Sequence, residues 1–154
     1  MKRLILAAAA AITAGLTTAP AMAASVSDCG DVSRLENVVE PWEGSTKTFY
    51  GGKMRVVLVD TGGEPACCST YLAVLYSVEP NDEPPYTACK LIKDDNRMGF
   101  AGIDFRSMRA TYDARAGVLL TIRAKRMKAD GSGTTPLTLK VRLRQSPPSV
   151  RIER

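Results

Sequence analysis

The apolar run Val57-Leu58-Val59 ends in Asp60-Thr61-Gly62, which would set one carboxylate at the end of a strand. Two such carboxylates, one Asp60 from each copy of a homodimer, could share a proton and activate water. The same residues also make an ordinary turn, because Asp and Gly suit turn geometry whatever else they do. The 154 residues include no histidine, which removes the usual general base, the commonest metal ligand and every Ser-His or Cys-His nucleophile pair. Cys29, Cys67, Cys68 and Cys89 lack the Cys-x-x-Cys spacing of a zinc site, and no helix signal follows Cys67-Cys68 to lower a thiol pKa. The expectation is a chain with no metal, no cofactor and no catalytic residue, Asp60 being the alternative.

The first 23 residues place Lys2-Arg3 before an apolar run from Leu4 to Leu16 and end in Ala21-Met22-Ala23, the order of a secretory signal peptide. The run is too short to span a bilayer, and no second run of about 20 apolar residues follows, so no membrane span is expected. Cleavage near Ala23 would leave a single domain in the periplasm or secreted from the cell. Thiols oxidise in that compartment, so all four cysteines are expected in disulfides. A Cys67–Cys68 bond would close a strained ring within one dipeptide, so bonds from Cys29 and Cys89 to that pair are the expectation. A hairpin around Glu79–Thr87 would, however, put Cys89 near Ser77 and about nine residues, roughly 30 Å, from Cys68. Either the Pro-rich loop of Pro80, Pro84 and Pro85 then crosses to another sheet, or Cys89 stays free.

Charge is unevenly placed. Residues 24–105 carry 7 basic and 13 acidic side chains, whereas 106–154 carry 12 basic and 3 acidic. Within the basic half, Val118, Leu120, Ile122 and Ala124 alternate with Leu119, Thr121, Arg123 and Lys125. Likewise Leu137, Leu139, Val141 and Leu143 alternate with Thr138, Lys140, Arg142 and Arg144. Period-two alternation gives strands with one apolar and one polar face, so Arg123, Lys125, Lys140, Arg142 and Arg144 are expected on one sheet face. Five like charges repel unless something anionic compensates them. That compensation is either acidic side chains from the first half or an anionic glycan, lipid or protein outside the cytoplasm, where nucleic acid is not expected.

These strands need a scaffold. Asp31–Glu40, with Val32, Leu35, Val38 and Val39 at near-helical spacing and Pro41 as a stop, predicts a short N-terminal helix within residues 24–45. From residue 46 to 154 the pattern predicts one all-β domain. Its strands are Thr46–Tyr50, Lys53–Asp60, Ser69–Val78, Ala88–Lys93, Met98–Phe105, Ser107–Tyr112, Val118–Met127, Leu137–Gln145 and Ser149–Glu153. Eight or nine short antiparallel strands fit a small sandwich or barrel. Ser69–Val78 is apolar on both faces and should be central. Trp42, Phe49, Tyr50, Tyr86 and Tyr112 belong either to a recognition surface or to the core, Tyr86 being the best placed for exposure.

Two resemblances accompany this reading. Val57–Gly62 together with Ala101-Gly102-Ile103-Asp104-Phe105 resembles the two motif segments of single-domain, retroviral-type aspartic proteases. Gly63 stands where that family has Ala or Ser, and the interval to Gly102 leaves little room for a flap. Glu40-Pro41-Trp42, Tyr50–Val56, Asp60–Tyr71, Gly99–Phe105 and Ala110–Asp113 resemble small exported proteobacterial proteins of no assigned activity. That second likeness implies bacterial export and carries over no catalytic residue. Taken together, the sequence favours a non-catalytic exported β-domain with a basic binding face, the alternatives being an Asp60-dependent homodimeric aspartic protease or a small hydrolase inhibitor.

Overall fold

The computed structural model describes residues 24–63, 67–94 and 98–153. The predicted leader lies outside the described residues. Among those described, nine strands form two antiparallel sheets. The first sheet has the order β1-β5-β4-β3-β2, from β1 (Ser25–Asp28), β2 (Thr46–Phe49), β3 (Met54–Asp60), β4 (Thr70–Val78) and β5 (Tyr86–Lys93). The second runs β6-β7-β8-β9, from β6 (Gly102–Asp113), β7 (Gly117–Met127), β8 (Thr134–Gln145) and β9 (Pro148–Glu153).

The alternation of apolar and polar residues decides how the sheets meet. Met54, Val56, Leu72, Val74 and Ile92 from the first sheet pack against Val118, Leu120, Ile122, Leu139, Val141 and Leu143 from the second, with Phe100, Phe105 and Met108 beside them. Each Leu, Ile or Phe buried in such a layer contributes about 1.5–3 kcal/mol relative to an exposed one. The β4 strand is central, as its two apolar faces require: Leu72 and Val74 face the second sheet, while Tyr71 and Ala73 join a smaller cluster with Val57, Val59 and Leu91 on the opposite face.

Residues 29–45 lie over that opposite face, with Val32 and Val38 packed on the smaller cluster. The expected helix is absent there. Two 3-10 turns, Asp31–Ser33 and Leu35–Asn37, are followed by a single helical turn, α1 (Trp42–Ser45). The segment is tied to β5 at its start by the Cys29–Cys89 disulfide and to β3 near its middle by the Val38–Val59 bridge, so it must run across the strands. The three-residue period of 3-10 turns mimics helical spacing over so short a stretch.

The cysteine pairing differs from the expectation. The β4–β5 hairpin sets Cys89 opposite Leu75, which keeps Cys89 far from Cys68 as the register argument requires. The free edge of β5 instead pairs with β1, Asp28 standing opposite Lys90, and this brings Cys29 to Cys89 with Cα atoms 5.5 Å apart. Cys67 and Cys68 are bonded to each other. The sequence reading missed β1, whose Ser-Val-Ser-Asp segment has little apolar signal and is held through backbone pairing to β5.

Two expected strands, Met98–Phe105 and Ser107–Tyr112, correspond to one strand, β6, which opens at Gly102 and changes register between Asp104 and Arg109. Side chains stitch this bulge. Ser107 Oγ donates to the Asp104 carbonyl at 2.6 Å and accepts from the Arg123 amide at 2.9 Å, and Asp104 Oδ1 accepts from the Ser107 amide at 3.2 Å. Thus the Arg123 N–H, deprived of a ladder partner by the bulge, is satisfied by a hydroxyl.

Candidate cationic binding face

The register of the four-stranded sheet places all five basic residues singled out from the sequence on its outer face. Arg123 and Lys125 stand on β7 in the same file as Thr121, and Lys140, Arg142 and Arg144 stand on β8 in the same file as Thr138. The row Arg109, Thr121, Lys140, Glu153 crosses all four strands, and Leu119, Arg142 and Arg151 form the next row. Arg109 and Arg151 therefore extend the face beyond the five. Arg151 was legible from its alternation with Val150 and Ile152. Arg109 was not, because the bulge interrupts the period on β6.

Acidic partners come mainly from within this sheet. Asp104 takes a hydrogen bond from Arg123 Nη2 at 2.7 Å, and Glu153 takes two from Arg142, at 2.6 Å from Nε and 3.0 Å from Nη2. The charge-assisted bond from Arg123 holds the Asp104 carboxyl below the usual range. Arg142 does the same to Glu153 and has its own pKa raised in return. Asp113 is lowered chiefly by the Ala116 and Arg115 amides, which donate to its Oδ1 at 2.6 and 2.8 Å and close the β6–β7 turn. Seven basic side chains thus share the face with Asp104, Asp113 and Glu153. Arg151 stands directly opposite Arg142, whose own charge is met by Glu153.

An open depression of about 660 Å³ lies at one end of the sheet, lined by Asp104, Arg123, Lys125, Pro136 and Thr138 together with Gly102 and Leu137. It offers Lys125, the Arg123–Asp104 pair and a threonine hydroxyl beside apolar surface.

The remaining candidates fall elsewhere. Asp60 closes β3 opposite Thr70, and its Oδ1 accepts from the Gly62 amide at 3.0 Å, the geometry of a turn-forming Asp. Phe49 and Tyr50 pack against the main core, while Trp42, Tyr86 and Tyr112 are exposed, Tyr86 as expected. Among the described residues no three His, Cys, Asp or Glu side chains are grouped to hold a metal. Asp94 and Arg126 were missed. Asp94, 3% exposed, binds Arg126 Nε through both carboxylate oxygens at 2.7 and 2.8 Å, joining the end of β5 to β7. Comparison with protein-family models, with curated proteins and with solved structures found no match to this chain.

Proposed function

We propose that this chain is an exported, non-catalytic binding domain whose four-stranded sheet presents a cationic face to an anionic component of a bacterial cell envelope. The carrying observation is the placement of seven basic side chains on one sheet face against three acidic ones, an excess of positive charge that the sheet's own carboxylates do not balance. Repulsion within such an excess persists in a folded domain at a cost in stability, and a bound polyanion removes it. Export is supported by the order of residues 1–23 and by the Cys29–Cys89 bond, which suits an oxidising compartment.

The test is binding to vesicles containing phosphatidylglycerol, to purely zwitterionic vesicles and to a soluble acidic polysaccharide over a range of salt. Binding should weaken steeply with salt, since the Debye length falls from about 10 Å at 0.1 M to about 3 Å at 1 M. Arg142 is a poor probe because it also holds Glu153 and the Gly117 carbonyl. Lys125→Ala combined with Arg109→Gln and Arg151→Gln, all exposed positions, removes charge at less structural risk. Salt-insensitive binding, or binding unchanged in the triple variant, would remove the reading.

A further inference from the structure

On the other side of the sandwich, between the strap of residues 29–45 and the outer face of the first sheet, lies a groove of about 470 Å³. That volume is within the range of about 300–1,000 Å³ typical of small-molecule sites. Val57, Val59, Ala73 and Leu75 form its floor, and Leu35 and Trp42 form a wall. Both wall residues remain open to solvent, Leu35 at 69% and Trp42 at 51%, although each carries a large apolar surface that folding normally covers. The strap is held at Cys29 by the bond to Cys89, at Val38 by the bridge to Val59 and at Ser45 by its continuation into β2, which restrains it from sliding over the groove.

The rim supplies the polarity. Arg55 and Glu43 both line it, and neither has an ion-pair partner among the described residues. Arg55 extends from β3 beside the apolar floor, between Thr48 and Leu75 in its row, whereas Glu43 sits on the helical turn with Trp42. An aliphatic floor with one guanidinium at its edge is complementary to a flexible apolar chain ending in a carboxylate. We propose that this groove binds a medium-chain aliphatic carboxylate, its chain lying between Trp42 and the β3–β4 floor and its carboxylate paired with Arg55. The site faces away from the cationic sheet and does not depend on that sheet's role.

Trp42 is the only tryptophan in the chain, so its emission reports the groove directly. Decanoate, added below its micelle-forming concentration, should shift that emission saturably. Shortening the chain to octanoate should weaken binding about fourfold per methylene, as burial of each CH₂ group requires. Arg55→Gln should weaken decanoate at least tenfold while leaving decanol unaffected, and Glu43→Gln should tighten decanoate. Both positions are exposed, so neither change threatens the fold. Lys125→Ala should leave decanoate binding unchanged, which separates this site from the cationic face. No saturable shift, no dependence on chain length, or equal binding of decanoate by Arg55→Gln would each overturn the proposal.

Discussion

The Tyr50 hydroxyl donates to the Leu143 carbonyl at 3.0 Å and accepts from the Val118 amide at 3.1 Å, so one phenol serves both members of a cross-strand pair in the opposite sheet. Tyr50 belongs to the connection between β2 and β3, and the contact therefore fixes one sheet against the other. Gly117 makes room for it. A Cβ there would fall 2.2 Å from the Leu143 oxygen and 2.9 Å from Tyr50 Oη, on a backbone with φ of +89° that side-chain-bearing residues rarely adopt. Tyr50→Phe keeps the ring and strands a partly buried N–H and C=O, so it should cost about 1–3 kcal/mol in urea unfolding. Gly117→Ala should cost more than Tyr50→Phe. Equal or smaller losses would show that the phenol does not organise this junction.

The Asp94–Arg126 pair is a second junction between the sheets, and its carboxylate is far more buried than that of any ion pair on the cationic face. Removing one partner leaves the other charge in a poorly solvated place, so Asp94→Asn or Arg126→Met should each destabilise by about 3–5 kcal/mol. Replacing both by apolar residues should recover much of that loss. Denaturant unfolding of the two single variants and the double variant checks this, and purely additive losses would refute the coupling.

How much of this was readable from the sequence depended on whether period two survived. It does along β7, β8 and β9, and there the strands, their faces and the five basic residues all emerged as expected. On β6 the bulge between Asp104 and Arg109 split one strand into two apparent ones and hid Arg109. The strap over the first sheet misled for another reason: Val32 and Val38 pack on that sheet while Leu35 faces solvent, and crossing strands with 3-10 turns copies the spacing of a helix. The groove under the strap was equally hidden, since its walls come from residues far apart in sequence. Asp94–Arg126 and Tyr50–Leu143 join residues 32 and 93 positions apart, and local pattern carries no trace of such pairs.

The carboxylates of Asp104 and Glu153 make the cationic face sensitive to acid. Each titrates below its ordinary value because an arginine donates to its charged form. A lowered folded-state pKa means that the unfolded chain binds more protons in the window between the two values, so stability rises with pH there and is lost as pH falls through the folded-state pKa. Protonation also releases Arg123 and Arg142 from their internal partners. The cationic face should therefore bind a sulfated polyanion, whose own charge persists in acid, more tightly as pH drops below the usual carboxylate range, provided the fold persists by circular dichroism. Asp104→Asn with Glu153→Gln should reproduce the tighter binding at neutral pH and flatten its acid dependence. Binding that weakens in the double variant would contradict this account.

The two disulfides should differ sharply in what they contribute to stability. Cys29–Cys89 spans 60 residues, so in the chain-entropy account it removes much freedom from the unfolded state and is worth about 4 kcal/mol. Cys67–Cys68 joins sequence neighbours and constrains almost no loop. Replacing Cys29 and Cys89 with Ser should therefore lower the denaturant midpoint markedly, whereas Cys67→Ser with Cys68→Ser should lower it much less. The pairing itself can be checked by mass spectrometry on the oxidised protein, but trypsin is not enough: no Lys or Arg lies between Arg55 and Lys90, so Cys67, Cys68 and Cys89 stay on one peptide. Cleavage on the N-terminal side of Asp82 separates them. The Cys67–Cys68 fragment should then appear unattached and lighter by two hydrogens, with the Cys29 fragment joined to the Cys89 fragment. A Cys29 fragment joined to Cys67 or Cys68 would overturn both the pairing and the anchoring of the strap that shapes the groove beneath it.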